Sequence, residues 1–379
     1  MIIEQKQWTR AGGWRVSRPG VFANAPQLVV FFGAPEALAT PSVVESIRSS
    51  YPTACIVGCS TAGEICETAV GDGSIVSTAI HFEHTRVRSS CHALADATES
   101  AAAGARIASD LSAAGLTHVF VLAEGLHLNG SELVAGLRAG LPENVAVTGG
   151  LAGDGERFQR TTVHCDGETR QGAVVAIGFY GDRLRVGYGS MGGWDSFGPD
   201  RLVTRAVGNI LYELDGSSAL ELYRQYLGPH AATLPASGLL FPLSLRGEPG
   251  EPRVVRTILA IDEEAGSLVF AGDIPQGGYA RLMKANFDRL IDGAHGAATA
   301  CYEPIGSAPP SLAILISCVG RKLVLKQRTE EEVESVRDVL GAETVLSGFY
   351  SYGEIAPFAA STKCELHNQT MTITTLTER

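Results

Sequence analysis

Three glycine-rich stretches hold the residues whose types and spacing could do chemistry. Gly58-Cys59-Ser60-Thr61-Ala62-Gly63-Glu64-Ile65 and Gly348-Phe349-Tyr350-Ser351-Tyr352-Gly353-Glu354-Ile355 both read G-x-x-[ST]-x-G-E-I. Between them, Gly149-Gly150-Leu151-Ala152-Gly153-Asp154 keeps the glycines and offers Asp154 where the others have glutamate. Glycine admits positive φ and lets a ligand approach backbone N–H groups closely. Turn geometry alone does not call for Glu64 and Glu354. The sequence therefore nominates a ligand site made of Gly58, Cys59, Ser60, Thr61, Gly63 and Glu64 from the first turn. Gly149, Gly150, Gly153 and Asp154 join it from the second turn, and Tyr350, Tyr352, Gly353 and Glu354 from the third, with Asn368 counted beside them.

Cys59 inside the first turn would be a nucleophile or metal ligand only if backbone N–H groups stabilised its thiolate. No histidine lies at a fixed local distance to act as its base, so a structural cysteine is the plainer reading. The nine histidines show no metal-ligand spacing. His127, in a loop after an apolar run, and His367, close in sequence to the third turn, are the two nominated as metal ligands. Gly187-Tyr188-Gly189-Ser190-Met191-Gly192 matches G-x-G-x-x-G, but Gly193 to Pro199 cannot open a helix, so no pyrophosphate site follows. P-loop, G-x-S-x-G, H-E-x-x-H and C-x-x-C-H signatures are all absent, which argues against a familiar enzyme class.

The elements that must position these turns are short apolar runs bounded by glycine. LVVFFG from Leu28, HVFVLAEG from His118 and LAILISCVG from Leu312 each read as a buried strand. Helical spacing follows each run, over 42–47, 131–137 and 330–340, the last with Thr329 as its N-cap and Val333, Val336 and Leu340 facing inward. A second strand then leads into each glycine turn. Alternating runs over 74–92, 173–188 and 364–376 read as antiparallel hairpins after the turns. The fold class expected is α/β, with mixed parallel and antiparallel sheets built from three related strand–helix–strand–hairpin units in two domains. A helix-like stretch over 199–214 places the boundary near Asp215-Gly216, giving domains 1–214 and 215–379, and the stretch 242–252 reads as an exposed loop. Turns at equivalent places after equivalent strands should approach one another at the carboxyl ends of the sheets.

Composition bounds the function. Apolar residues make up 45% and charged residues 19%, enough to bury a real core. A net charge of −11 argues against a general nucleic-acid surface. The longest apolar runs are too short to span a membrane, and the N-terminus lacks a signal-peptide apolar region, so a cytoplasmic protein is expected. None of the eight cysteines forms a CxxC pair, and buried reduced thiols are expected.

Taken together, IVGCSTAGEI, VTGGLAGDG, AVVAIGFYGDRLRVGYGSMGGW and GFYSYGEIAP with LHNQTMT resemble the FIST N and FIST C domains, from about residue 25 to 375. The resemblance implies an intracellular sensory module that works beside a separate signalling protein, such as a histidine kinase or a cyclic-di-GMP enzyme. Some members of the family are haem-binding nitric-oxide sensors, which makes haem b the implied cofactor. Here His367, His127, Tyr350 or Tyr352 would ligate the iron, with Phe349, Tyr350, Tyr352 and Phe358 as walls. The expected function is a ligand-binding sensor, of nitric oxide through haem or of another small molecule such as an amino acid. An enzyme using Cys59 with Glu64, or a scaffold with an exposed apolar patch, are the competing readings.

Overall fold

The computed structural model of the chain describes residues 1–165, 167–247, 253–306, 308–357 and 363–379. The chain opens with β1 (Ile2–Thr9) and β2 (Gly13–Arg18). Next come β3 (Leu28–Gly33), α1 (Pro35–Leu38), α2 (Pro41–Ser50), β4 (Cys55–Ser60), β5 (Glu64–Cys66), β6 (Ala69–Gly71), β7 (Ser74–His81) and β8 (Arg86–Ala93). They are followed by α3 (Ser100–Leu111), β9 (Leu116–Ala123), α4 (Gly130–Gly140), β10 (Ala146–Leu151), β11 (Val163–Cys165), β12 (Glu168–Arg170), β13 (Ala173–Tyr180) and β14 (Leu184–Met191). The next stretch holds β15 (Asp195–Val207), β16 (Ile210–Leu214), β17 (Ser217–Ser218), α5 (Ala219–Leu227), β18 (Leu243–Arg246), β19 (Val254–Arg256), β20 (Ile258–Asp262), β21 (Ser267–Phe270) and β22 (Tyr279–Lys284). The last comprises α6 (Phe287–Ala300), α7 (Tyr302–Ile305), β23 (Leu312–Cys318), α8 (Val319–Leu325), α9 (Thr329–Leu340), β24 (Val345–Ser351), β25 (Gly353–Pro357), β26 (Cys364–His367) and β27 (Met371–Glu378). The expected α/β class with mixed sheets is what the chain adopts.

Three sheets share one strand order. They run β12-β11-β4-β3-β7-β1-β2, then β26-β25-β10-β9-β13-β8, then β14-β27-β23-β24-β5-β6. In each, a parallel pair (β3–β4, β9–β10, β23–β24) is joined through a helical crossover, and an antiparallel strand (β7, β13, β27) returns beside its first member. The apolar runs are buried on both faces, as a strand covered by helices or by another sheet requires: every residue of β3 and β23 is buried. The sheets press directly on one another. Phe32 of the first stacks on Phe349 of the third, with ring centroids 4.7 Å apart.

The strands after the glycine turns do not stay home. β5 leaves the first sheet to pair with β24, β11 leaves the second to pair with β4, and β25 leaves the third to pair with β10. This closed exchange brings the three turns together.

The expected hairpins are not formed. β7 and β8, β13 and β14, and β26 and β27 follow one another in sequence, yet the members of each pair lie in different sheets. A strand's alternation reports which face is buried and carries no information about which neighbour it pairs with. The stretch 199–214 is not helical either. It is the end of β15 and all of β16, whose pairing shows register shifts, with Pro199 where the β15–β22 register slips between Phe197 and Arg201. These strands belong to an antiparallel sheet ordered β19-β18-β22-β15-β16-β21-β20. Nor is 242–247 an exposed loop: Leu243 and Leu245 of β18 are buried, while 248–252 lie outside the described residues.

Some expectations hold at the level of helices. α9 buries Val333, Val336 and Leu340 as its spacing requires. Its N-cap position is Arg328, however, and Thr329 sits one place inside with its hydroxyl donating to the Lys326 carbonyl. The G-x-G-x-x-G match lies on β14. There, side chains at Gly187 and Gly189 would collide with the carbonyls of Cys301 and Ala297, so these glycines let α6 settle closely on the strand. The eight cysteines are not all free thiols. Cys91 on β8 and Cys165 on β11 form a disulfide across two sheets, a pairing the 74-residue separation concealed. No helix among the described residues is long and apolar enough to cross a membrane.

Candidate functional site

The three turns meet in a ring of main-chain hydrogen bonds. The Ala62 N–H donates to the Tyr350 carbonyl at 2.8 Å, and the Tyr350 N–H donates to the Gly63 carbonyl at 2.8 Å. The Gly153 N–H donates to Ser60 at 2.9 Å, and the Tyr352 N–H to Leu151 at 3.2 Å. First meets third, second meets first, and third meets second. The ladder registers Gly58↔His164, Cys59↔Val163, Glu64↔Phe349, Gly150↔Glu354 and Leu151↔Gly353 extend the same junction. Gly149, at φ 152°, packs its Cα against the Val121 carbonyl.

The two glutamates do matching work. Glu64 is 1% exposed and accepts from the Thr61 hydroxyl (2.5 Å), the Ser74 N–H (2.9 Å) and the Ser74 hydroxyl (2.8 Å). Glu354 is fully buried and accepts from the Ser351 hydroxyl (2.5 Å), the Thr370 N–H (3.2 Å) and the Thr370 hydroxyl (3.0 Å). Each carboxyl takes the hydroxyl three residues before it and ties its turn to the start of the returning strand, β7 or β27. Burial pushes Glu64 up to about 7 and Glu354 to about 8, with those hydrogen bonds pulling against it.

Asp154 accepts from the N–H groups of Phe158, Gln159 and Arg160 at 2.8–2.9 Å and from the Tyr352 hydroxyl, so it organises its own loop and clamps the third turn. Tyr352 stacks on Phe158 at 4.5 Å. Asn368 donates to the Tyr352 carbonyl at 3.1 Å. Tyr350 donates to Glu332 at 2.7 Å. The nominated turn residues are therefore brought together, and they are packed: their polar groups are turned to one another in a buried hub. Cys59 lies inside it, where burial pushes its thiol well above the ordinary range, the opposite of what a thiolate nucleophile needs.

The two nominated histidines are not brought together with a metal set; among the described residues no group of three or more His, Cys, Asp or Glu is placed to hold a metal ion. His367 is 2% exposed, donates from Nε2 to the Ala356 carbonyl at 2.8 Å, and is pushed down to about 4 by burial, against that hydrogen bond. The His127 side chain is 59% exposed and its Nδ1 meets Glu124 at 3.3 Å. Phe349, Tyr350 and Tyr352 are core residues at 0–2% exposure, and Phe358 lies outside the described residues. These residues do not fit a haem at the third turn. The Nε2 edge that would meet iron is committed to a carbonyl, and the would-be walls are committed elsewhere: Phe349 to Phe32, Tyr352 to Phe158 and Tyr350 to Glu332.

Several buried groups escaped the sequence reading. Glu124, fully buried at the end of β9, accepts from Thr161, from the Leu126 N–H (3.1 Å) and from the His127 N–H (2.6 Å). A carboxylate closing an apolar run was the available signal. Arg321 and Glu332 form a fully buried ion pair at 2.8 Å. Arg321 also donates to the carbonyls of Gly192 and Leu290, and Glu332 accepts from Ser317. They stand eleven positions apart on two different helices, a spacing without a motif.

A cleft of about 400 Å³ opens between α4 and the β18, β19 and β26 strands. Ser131, Val134 and Arg138 line it from one face of α4, and Arg256, Asp273 and Glu365 from the other side. Arg256 is 6% exposed and donates from Nη1 to the Leu366 carbonyl at 2.8 Å. Its Nε is buried with no hydrogen-bond partner among the described residues. Burial pulls Arg256 down to about 10, with Glu365 and Asp273 opposing. Asp273 is itself held by the Asn129 amide at 2.8 Å. The glycine-turn residues do not line this cleft.

The FIST N domain family model matches residues 27–217, and the FIST C domain family model matches residues 219–357. No curated protein matches the chain.

Proposed function

Because the chain belongs to the FIST family, whose domains are sensory domains for small ligands, we propose that it senses a small molecule in the cleft between α4 and the β18–β19–β26 face. The observation that carries this reading is the position of the cleft. One wall is a helix within the FIST N match and the opposite wall includes strands within the FIST C match, so an occupant touches both. A ligand that binds both walls shifts any equilibrium in their relative packing by the free energy of its differential contacts. The buried hub of glycine turns is the rigid frame against which such a shift is registered. The signal then passes to a separate protein, of which a histidine kinase is the class that the family suggests.

Hydrogen–deuterium exchange on the full chain, with and without members of a small-metabolite panel, tests this. Ligands that raise the melting temperature are expected to slow exchange in α4 and β26 together. Protection confined to other elements, for every stabilising ligand, would refute the placement. Haem b is tested separately: hemin added to the purified chain is expected to give no histidine-ligated Soret band. A band abolished by His367→Ala would restore the haem reading at that residue.

A further inference from the structure

The cleft has a charge that nothing beside it neutralises at contact distance. Arg256 is buried, and its hydrogen bonds go to main-chain carbonyls: Leu366 at 2.8 Å and its neighbour Val255 at 3.4 Å. It makes no ion pair among the described residues, whereas the fully buried guanidinium of Arg321 is paired with Glu332 at 2.8 Å. A buried guanidinium stays charged at neutral pH, and burying it without an anion is costly. Its Nε–H has no acceptor among the described residues. Ser131, from the first turn of α4, lies on the same side: a side chain built on Gly272 would meet the Ser131 hydroxyl at 2.7 Å and Arg256 Nε at 2.9 Å. Arg138, exposed further along the same face of α4, adds a second positive charge at the mouth.

Resting on the reading that this cleft is the sensor site, we infer that it takes the carboxylate of a small organic acid, with Arg256 as the counter-ion and Arg138 steering its approach. A planar guanidinium recognises a planar carboxylate through paired, charge-assisted hydrogen bonds. Val134, Leu245 and Ile274 supply apolar wall for the remainder of the molecule. The fixed charges favour a carboxylate over a phosphate. Asp273 and Glu365 also line the cleft without forming an ion pair with either guanidinium among the described residues, and they repel a phosphate dianion more strongly than a carboxylate monoanion.

The test follows the Nε–Hε resonances of the full chain carrying ¹⁵N-arginine. It is titrated at constant ionic strength with sodium acetate, sodium succinate, inorganic phosphate and acetamide. The Arg256 resonance is assigned by its loss in Arg256→Lys. Acetate or succinate is expected to shift it saturably, with acetamide leaving it in place. Arg138→Ala, an exposed change that does not threaten folding, is expected to weaken the carboxylate several-fold, and Gly272→Val to weaken it at least tenfold. Phosphate shifting the resonance where both carboxylates fail overturns the ligand class. Acetamide matching acetate overturns charge recognition. Silence with all four probes overturns the inference as a whole. None of these outcomes touches the sensor reading, which falls only if stabilising ligands fail to protect α4 and β26 from exchange.

Discussion

Replacing Glu354 with glutamine should flatten the dependence of stability on pH. Glu354 is fully buried and pushed up to about 8, from an ordinary value near 4.5. A carboxyl whose folded pKa is raised holds its proton in the native state after the unfolded chain has lost it. Its stabilising contribution is complete below pH 4.5 and drains away as pH rises towards 8, at about 1.4 kcal/mol per pH unit. Between pH 5 and pH 7 the wild type should therefore lose about 3 kcal/mol through this residue. Glu64, pushed up to about 7, adds a parallel loss over the same window. His118 and His367, pushed down to about 3 and 4 by burial, act in the opposite direction below pH 6.5, where stability falls on acidification. Both histidines are present in wild type and variant, so their contributions cancel in the difference. Glutamine keeps the volume, and its amide can donate to the Ser351 hydroxyl while its carbonyl accepts from Thr370. The assay is urea unfolding at pH 5, 6, 7 and 8, followed by tryptophan fluorescence. The stability of Glu354→Gln relative to wild type is expected to climb by about 3 kcal/mol from pH 5 to pH 7. Parallel curves across the whole range would mean that the carboxyl is ionised in the fold, and that its three hydrogen bonds outweigh burial.

Two further experiments test the packing argument. Arg321→Met leaves Glu332 buried without its partner and should cost about 3–5 kcal/mol in thermal or urea unfolding, whereas Arg321→Met with Glu332→Leu should recover part of that loss, the Tyr350 and Ser317 hydroxyls then losing their acceptor; equal losses in the single and double variants would refute the pairing account. Gly149→Ala places a methyl group on the Val121 carbonyl at a φ of 152° and should cost more than about 3 kcal/mol, visible as a collapse in the melting temperature, and a wild-type melt would show that the strand end can shift to accommodate it.

The sequence by itself determined the local grammar of this protein. LVVFFG and LAILISC had to be buried strands because they are almost wholly apolar. The spacing of Val333, Val336 and Leu340 had to be a helix face. The G-x-x-[ST]-x-G-E-I pattern also contained a real structural unit: Thr61 with Glu64, and Ser351 with Glu354, lie three residues apart and bond within each turn. The equivalent positions of the turns after equivalent strands pointed to their meeting, and the strand exchange is what brings it about. What the sequence left open was every choice of partner. The run 74–92 alternates whether it folds back as a hairpin or crosses between sheets, and only the exchange of β5, β11 and β25 among the sheets decides which. That exchange also buried Cys59, Glu64, Tyr350, Tyr352 and Glu354, because their strand ends converge from three sheets. The ion pair of Arg321 with Glu332, the disulfide of Cys91 with Cys165, and the gathering of Arg256, Ser131 and Arg138 around one cleft join segments far apart in sequence or on separate elements. Burial and ion pairing depend on distance in space, and no local pattern records a distance that only the assembled sheets set.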